Sequence, residues 1–147
     1  METERNKFIG ASYLYLERDG KILLLRRFNT GYSDGNYSLA AGHIDQGESP
    51  RSCMLREATE EIGITVLSED LELVHVMSRF VDDGGERLNF FWKCSKWTGE
   101  VTNVEPHKCD DLSWFSINDL PDNLVPELKI ALASIKKNES YSEFNRN

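Results

Sequence analysis

Cysteine is scarce in this 147-residue sequence and poorly placed for cross-linking. Cys53, Cys94 and Cys109 are odd in number, far apart and free of any CxxC pair, which argues against a disulfide framework or a zinc knuckle. They are expected to be small buried hydrophobes in a reducing, cytoplasmic setting. No long apolar run occurs, so no membrane span is expected. The charged opening METERNKF has no apolar stretch and is not expected to be a signal peptide. Internal repeats, low-complexity tracts and linkers are missing too. One domain over residues 1–137 is expected, followed by a polar tail, 138–147, that frays. Positive charge is also short, with 17 Lys and Arg against 25 Asp and Glu, a net charge of -8 at pH 7. Such a field does not draw in duplex nucleic acid, and a polyanionic substrate would need a cation between it and the protein. Solubility is the other account of an acidic surface. His43 and His75 lack the partners of a metal site or a triad and are read as structural.

What is present patterns well. FIGASYLYLERDGKILLLRRF reads as a β-hairpin around Asp19-Gly20, and YSLAA as a short strand after the loop NTGYSDGNYS. Ser49 as N-cap, Pro50 at the first helical position and Gly63 past the end predict a helix over 50–62, burying Met54, Leu55, Ala58 and Ile62. LELVHVMSRFV and RLNFFWKC read as strands joined by the turn DDGGE, and LSWFS as a last short strand. Pro126 opens a final helix with Leu128, Ala131, Leu132 and Ile135 on one face.

The helix over 50–62 carries Glu57, Glu60 and Glu61 at i, i+3, i+4 on a flank beside its core face. Like charges at that spacing cost a helix roughly 0.2–0.5 kcal/mol per pair. A hard divalent cation held by oxygen ligands would remove the repulsion. A solvated acidic face is the plain alternative.

The stretch GHIDQGESPRSCMLREATEEIG resembles the signature of the Nudix hydrolases, G-x5-E-x7-R-E-U-x-E-E-x-G-U with U aliphatic. Gly42, Glu48, Arg56, Glu57, Glu60, Glu61 and Gly63 supply the fixed identities, and Ile64 the last aliphatic. Ala58 is smaller than the pattern asks, a matter of helix packing rather than chemistry. The resemblance, spanning roughly residues 7 to 135, implies an α/β/α sandwich around a mixed β-sheet. It implies Mg2+, with Mn2+ as a substitute, bound by Glu57, Glu60, Glu61 and the backbone carbonyl of Ala41. Arg56 and Glu48 would pair to steady the helix and orient Glu57. The implied activity is hydrolysis of a nucleoside diphosphate linkage in a nucleotide, by a monomer or homodimer.

Marks of particular branches are mostly missing. There is no SQPWPFP-like array, no proline between the signature and Pro106, where Arg79 and Phe80 stand instead, and no tyrosine between Tyr37 and Tyr141. NVEPHKCDDLSWFSINDLP resembles the EPEKC…W…LP segment of MutT-like triphosphate diphosphatases, with His107 in place of the usual Glu. That resemblance implies a (deoxy)nucleoside triphosphate cleaved to a monophosphate and pyrophosphate, with Glu105 as a further ligand or general base. A nucleotide sugar, a dinucleotide, an RNA 5′ end, or a silent nucleotide-binding module are the alternatives. Candidate substrate contacts are Arg26, Arg27 and Lys108 for phosphate, with Tyr37 and Asn89 for the base and Tyr32, Phe90 and Trp92 as further stacking residues. Phe90 and Trp92 share one strand face and Asn89 and Phe91 the other, so only one set can line a pocket.

Overall fold

A computed structural model describes residues 3–80 and 85–145. β1 (Ile9–Arg18) and β2 (Lys21–Arg27) form the expected hairpin, with Asp19 and Gly20 at φ 52° and 75°, a turn whose two left-handed residues match the strand twist. The hairpin pairs only at Glu17↔Ile22 and Arg18↔Lys21, after which the strands diverge. β2 turns away to pair antiparallel with β3 (Tyr37–Ser38) and β7 (Cys109–Ser116). β1 pairs antiparallel with β4 (Ala40–His43) and parallel with β6 (Glu86–Cys94). β6 pairs antiparallel with β5 (Glu72–Phe80). The predicted turn DDGGE lies largely outside the described residues.

Helix α1 (Pro50–Ile62) has the expected bounds. The Ser49 hydroxyl oxygen accepts the Ser52 N–H at 3.0 Å, and Gly63, at φ 71°, returns its N–H to the last turn. A helix this short is marginal alone, so packing holds it. Met54, Ala58 and Ile62 are wholly buried against Leu14, Leu16, Trp92 and Cys94 on one face of the sheet. On the other face Tyr15, Met77 and Phe91 pack with Leu128, Ala131 and Leu132 of α2 (Pro126–Lys136). Period-two alternation in β1 and β6 divides the two cores, and the layers are helix, mixed sheet, helix. All three cysteines are buried.

The tail departs from expectation. Tyr141–Asn145 form a strand, β8, parallel to β5 from Val76↔Tyr141 to Phe80↔Asn145. A polar composition suggested fraying, but the edge of β5 offers backbone groups that need partners. Buried His75 adds side-chain contacts, with its ring nitrogens 2.7 Å from the Glu139 carbonyl oxygen and the Ser142 hydroxyl. No helix among the described residues is long and apolar enough to cross a membrane.

Candidate active site

A cavity of about 860 Å³ opens where α1, β4 and the loops 28–36 and 103–108 meet. Glu57, Glu60, Glu61, Ala41 and Glu105 all reach it. Arg56 organises its rim. Its Nε and Nη2 donate to the two carboxylate oxygens of Glu48 at 2.7 and 2.9 Å. Nη1 donates to Glu57 at 2.8 Å and Glu60 at 3.0 Å, and Nη2 also reaches the His43 carbonyl at 3.1 Å. The Arg56 hydrogen bond, with the Asp45 N–H, holds the Glu48 carboxyl down to about 2. The Arg56–Glu48 pair is thus a two-point fork that fixes one helix against the preceding loop.

The glutamates differ from one another. Glu57 is buried, and its carboxylate lies on the Gly42 backbone where a Cβ would stand. Glu61 accepts the Ala41 N–H at 3.4 Å. Burial raises the Glu61 carboxyl well above the usual range, and the charge of Glu57 raises it further. Burial also raises Glu57, against the pull of Arg56. The two carboxyls lie close enough to shift each other. Glu60 is exposed and held only by Arg56. The three therefore share a cavity without converging: among the described residues no three acidic, histidine or cysteine side chains stand close enough to hold an ion. The even cluster expected from helical spacing is instead a buried acid pair plus an outer acid bridged to an arginine. That donor set still fits a divalent cation, because two adjacent carboxyls whose charged forms are disfavoured together are a place where a cation can offset the charge.

The Cβ cradle at Gly42 gives a direct test. Gly42→Ala forces the Glu57 carboxylate off its seat, so activity should fall by roughly tenfold or more. Steady-state kinetics beside the melting temperature would separate this from unfolding.

Glu105 reaches the cavity because its loop is strapped to the end of α1, with Thr102 N–H on the Ile62 carbonyl at 3.0 Å and Val104 N–H on that of Glu61 at 3.2 Å. Lys108, largely exposed, lies 3.8 Å from Glu105. Arg26 and Arg27 both line the cavity because a bulge between them breaks the alternation of β2. Arg26 is ion-paired with Asp110 at 2.7 Å, and Arg27 donates to the Tyr32 carbonyl at 2.7 Å.

Three expected contacts to the base, Tyr37, Trp92 and Phe90, are corrected. Tyr37 is a core residue: its ring packs edge-on against Phe115, and its hydroxyl is taken by Asp111. Trp92 is core too, donating to Ser12 at 3.2 Å, and Phe90 packs on the same side. Asn89 shares the opposite face with Phe91 and is buried beside Ala11, which lines the cavity. Tyr13, Arg79 and Arg87 line the cavity and were not anticipated. The signal was available for Arg79, since two residues after the core Met77 on β5 the alternation turns it to the same face.

A model of the NUDIX domain matches residues 7–135. The chain belongs to the Nudix hydrolase family. It is similar, at 29% identity over 77% of its length, to an NAD-capped RNA hydrolase, NudC, of Pseudomonas putida, of which it spans 38%. It is also 29% identical over 71% of its length to YvcI, a Nudix hydrolase of Bacillus subtilis, of which it spans 64%. Among solved structures, a MutT NUDIX hydrolase from Burkholderia pseudomallei superposes with a TM-score of 0.79 at 28% identity, over 87% of this chain and 98% of that one. The layered fold described above is the Nudix fold.

Proposed function

We propose that this Nudix protein hydrolyses the diphosphate linkage of a nucleotide, using Mg2+ or Mn2+ held by the Glu57–Glu61 pair and the Ala41 carbonyl, with Glu60 turning in from the rim to complete the set. The favoured substrate is a (deoxy)nucleoside triphosphate, cleaved to a monophosphate and pyrophosphate. The feature that supports this is the adjacent Glu57–Glu61 pair, whose carboxyls both titrate above their ordinary value, in a cavity that Arg26, Arg27 and Lys108 also line. When bound, the ion neutralises phosphate oxygens and lowers the pKa of a coordinated water. Everything else is the work of side chains. Glu48 anchors Arg56, and Arg56 aims Glu57 and Glu60. Arg26, Arg27 and Lys108 meet phosphate charge that the net -8 of the chain would otherwise repel. Glu105, which lines the same cavity as Glu61, takes the proton of the attacking water.

Hydrolysis in water labelled with heavy oxygen tests the reading. Nucleoside triphosphates are expected to yield monophosphate and pyrophosphate, and Glu105→Gln to reduce kcat strongly with little change in stability. Orthophosphate and a diphosphate as the only products would overturn the triphosphate reading. Turnover of NAD alone would replace it with a dinucleotide substrate.

A further inference from the structure

Tyr32 and Arg79, which line the cavity, belong to an incomplete polar network. Arg79 on β5 and Glu127 at the start of α2 are both buried, 3.3 Å apart. Tyr32 joins them from the 28–36 loop, accepting from Arg79 Nη2 at 2.8 Å and donating to Glu127 Oε1 at 2.7 Å. Among the described residues three buried polar atoms here have no partner: Arg79 Nε, Asn89 Nδ2 and Glu127 Oε2. Buried polar groups are nearly always satisfied, and a half-satisfied network costs more than an apolar core. A purely structural network would be closed.

Arg79 lines the cavity, Glu127 is bonded to cavity-lining Tyr32, and Asn89 stands beside Arg79 on the sheet. The register pairs Asn89 with Met77 and Arg87 with Arg79, which puts Asn89 and Arg79 on the same sheet face. Ala11, the neighbour of Asn89 on β1, lines the cavity and is too small to fill the space above it. From Ala41 on β4 the sheet crosses β1 and β6 to reach β5, three strand steps of about 4.8 Å each. A nucleotide with its phosphates at the glutamates would place its base at this end.

We propose that Arg79, Asn89 and Glu127 read the base, and that the base they select carries a ring carbonyl beside a ring N–H: guanine, hypoxanthine, uracil or thymine rather than adenine or cytosine. This rests on the nucleotide reading above. Two open N–H donors and one open carboxylate oxygen call for an acceptor with two lone pairs next to a donor. A carbonyl oxygen has two lone pairs, whereas a ring nitrogen of adenine has one. In cytosine the carbonyl neighbours a bare nitrogen. The Tyr32 hydroxyl already shows the pattern in miniature, accepting from Arg79 while donating to Glu127.

The test uses wild type, Arg79→Lys, which puts a methylene where Nε was and keeps the cation beside Glu127, and Asn89→Leu. Specificity is read as kcat/KM for GTP, ITP and UTP against ATP and CTP. Binding is read by calorimetry with GMP and AMP, which needs no turnover. Wild type is expected to favour the carbonyl–N–H bases by roughly tenfold or more. The variants should bring that ratio near one, mainly through KM, with melting temperatures close to wild type. A wild-type ratio near one, or a preference for ATP or CTP, overturns the proposal, as do folded variants that keep the preference. If a variant fails to fold, the wild-type ratios and the GMP–AMP contrast still decide. Triphosphates left intact while GMP binds selectively would sink the triphosphate reading and support this one. Indiscriminate turnover of all five would do the reverse.

Discussion

Glu61→Gln is expected to lower kcat by at least about a hundredfold while leaving the metal-free protein as stable as wild type or more so. The activity loss follows from removing one of the two inner carboxylates proposed to hold the cation. The stability result follows from the sign of the pKa shift. The Glu61 carboxyl titrates above its ordinary value in the fold. Between the ordinary and the raised value, the folded chain keeps a proton that the unfolded chain releases. Apo stability is therefore greatest at the acid end of that window and falls as pH rises through the raised value. Glutamine cannot ionise, so the variant escapes this loss at neutral pH, and its advantage vanishes towards the ordinary carboxylate range. Glu60→Gln is less informative. Like-charge repulsion along the helix suggested it, but Glu60 is ion-paired with Arg56, so relief of repulsion and loss of a pair worth about 0.3–0.5 kcal/mol nearly cancel.

Arg56→Ala should be the most damaging change to the fold of the site. Its guanidinium spans Glu48, Glu57, Glu60 and the His43 carbonyl, so its loss leaves Glu57 buried without its cation and detaches the loop before α1. Partly screened charge-assisted bonds of this kind place the cost at about 2–3 kcal/mol. Denaturant unfolding would measure it. Activity should fall further than stability explains, because Glu57 and Glu60 lose their aim. Arg56→Lys should recover little, since an ammonium cannot make the fork to Glu48.

The helix and its caps were legible because Ser49, Pro50 and Gly63 each act locally. The two cores were legible in the alternation of β1 and β6. The early parting of β1 and β2 was not, because a tight turn fixes only the residues beside it. β8 was hidden for a different reason: its partner, β5, lies more than sixty positions away, and nothing in YSEFN announces an open edge. Within the site, helical spacing located the glutamates but could not tell that Glu57 and Glu61 turn inward while Glu60 stays outside. That depends on Gly42 and Ala41 of a separate strand. Tyr37 looked like a stacking residue until Asp111, also distant in sequence, claimed its hydroxyl.

The central claim is that the acid pair on α1 is a cation site rather than a structural feature. Thermal unfolding of wild type and Glu61→Gln, each with chelator and with excess Mg2+ near neutral pH, tests it most directly. A ligand that binds only the native state raises its melting temperature with saturation. Wild type should gain clearly from Mg2+, and Glu61→Gln should lose most of that gain while melting no lower than wild type in chelator. A variant clearly destabilised without metal, or an equal gain in both proteins, would contradict the account.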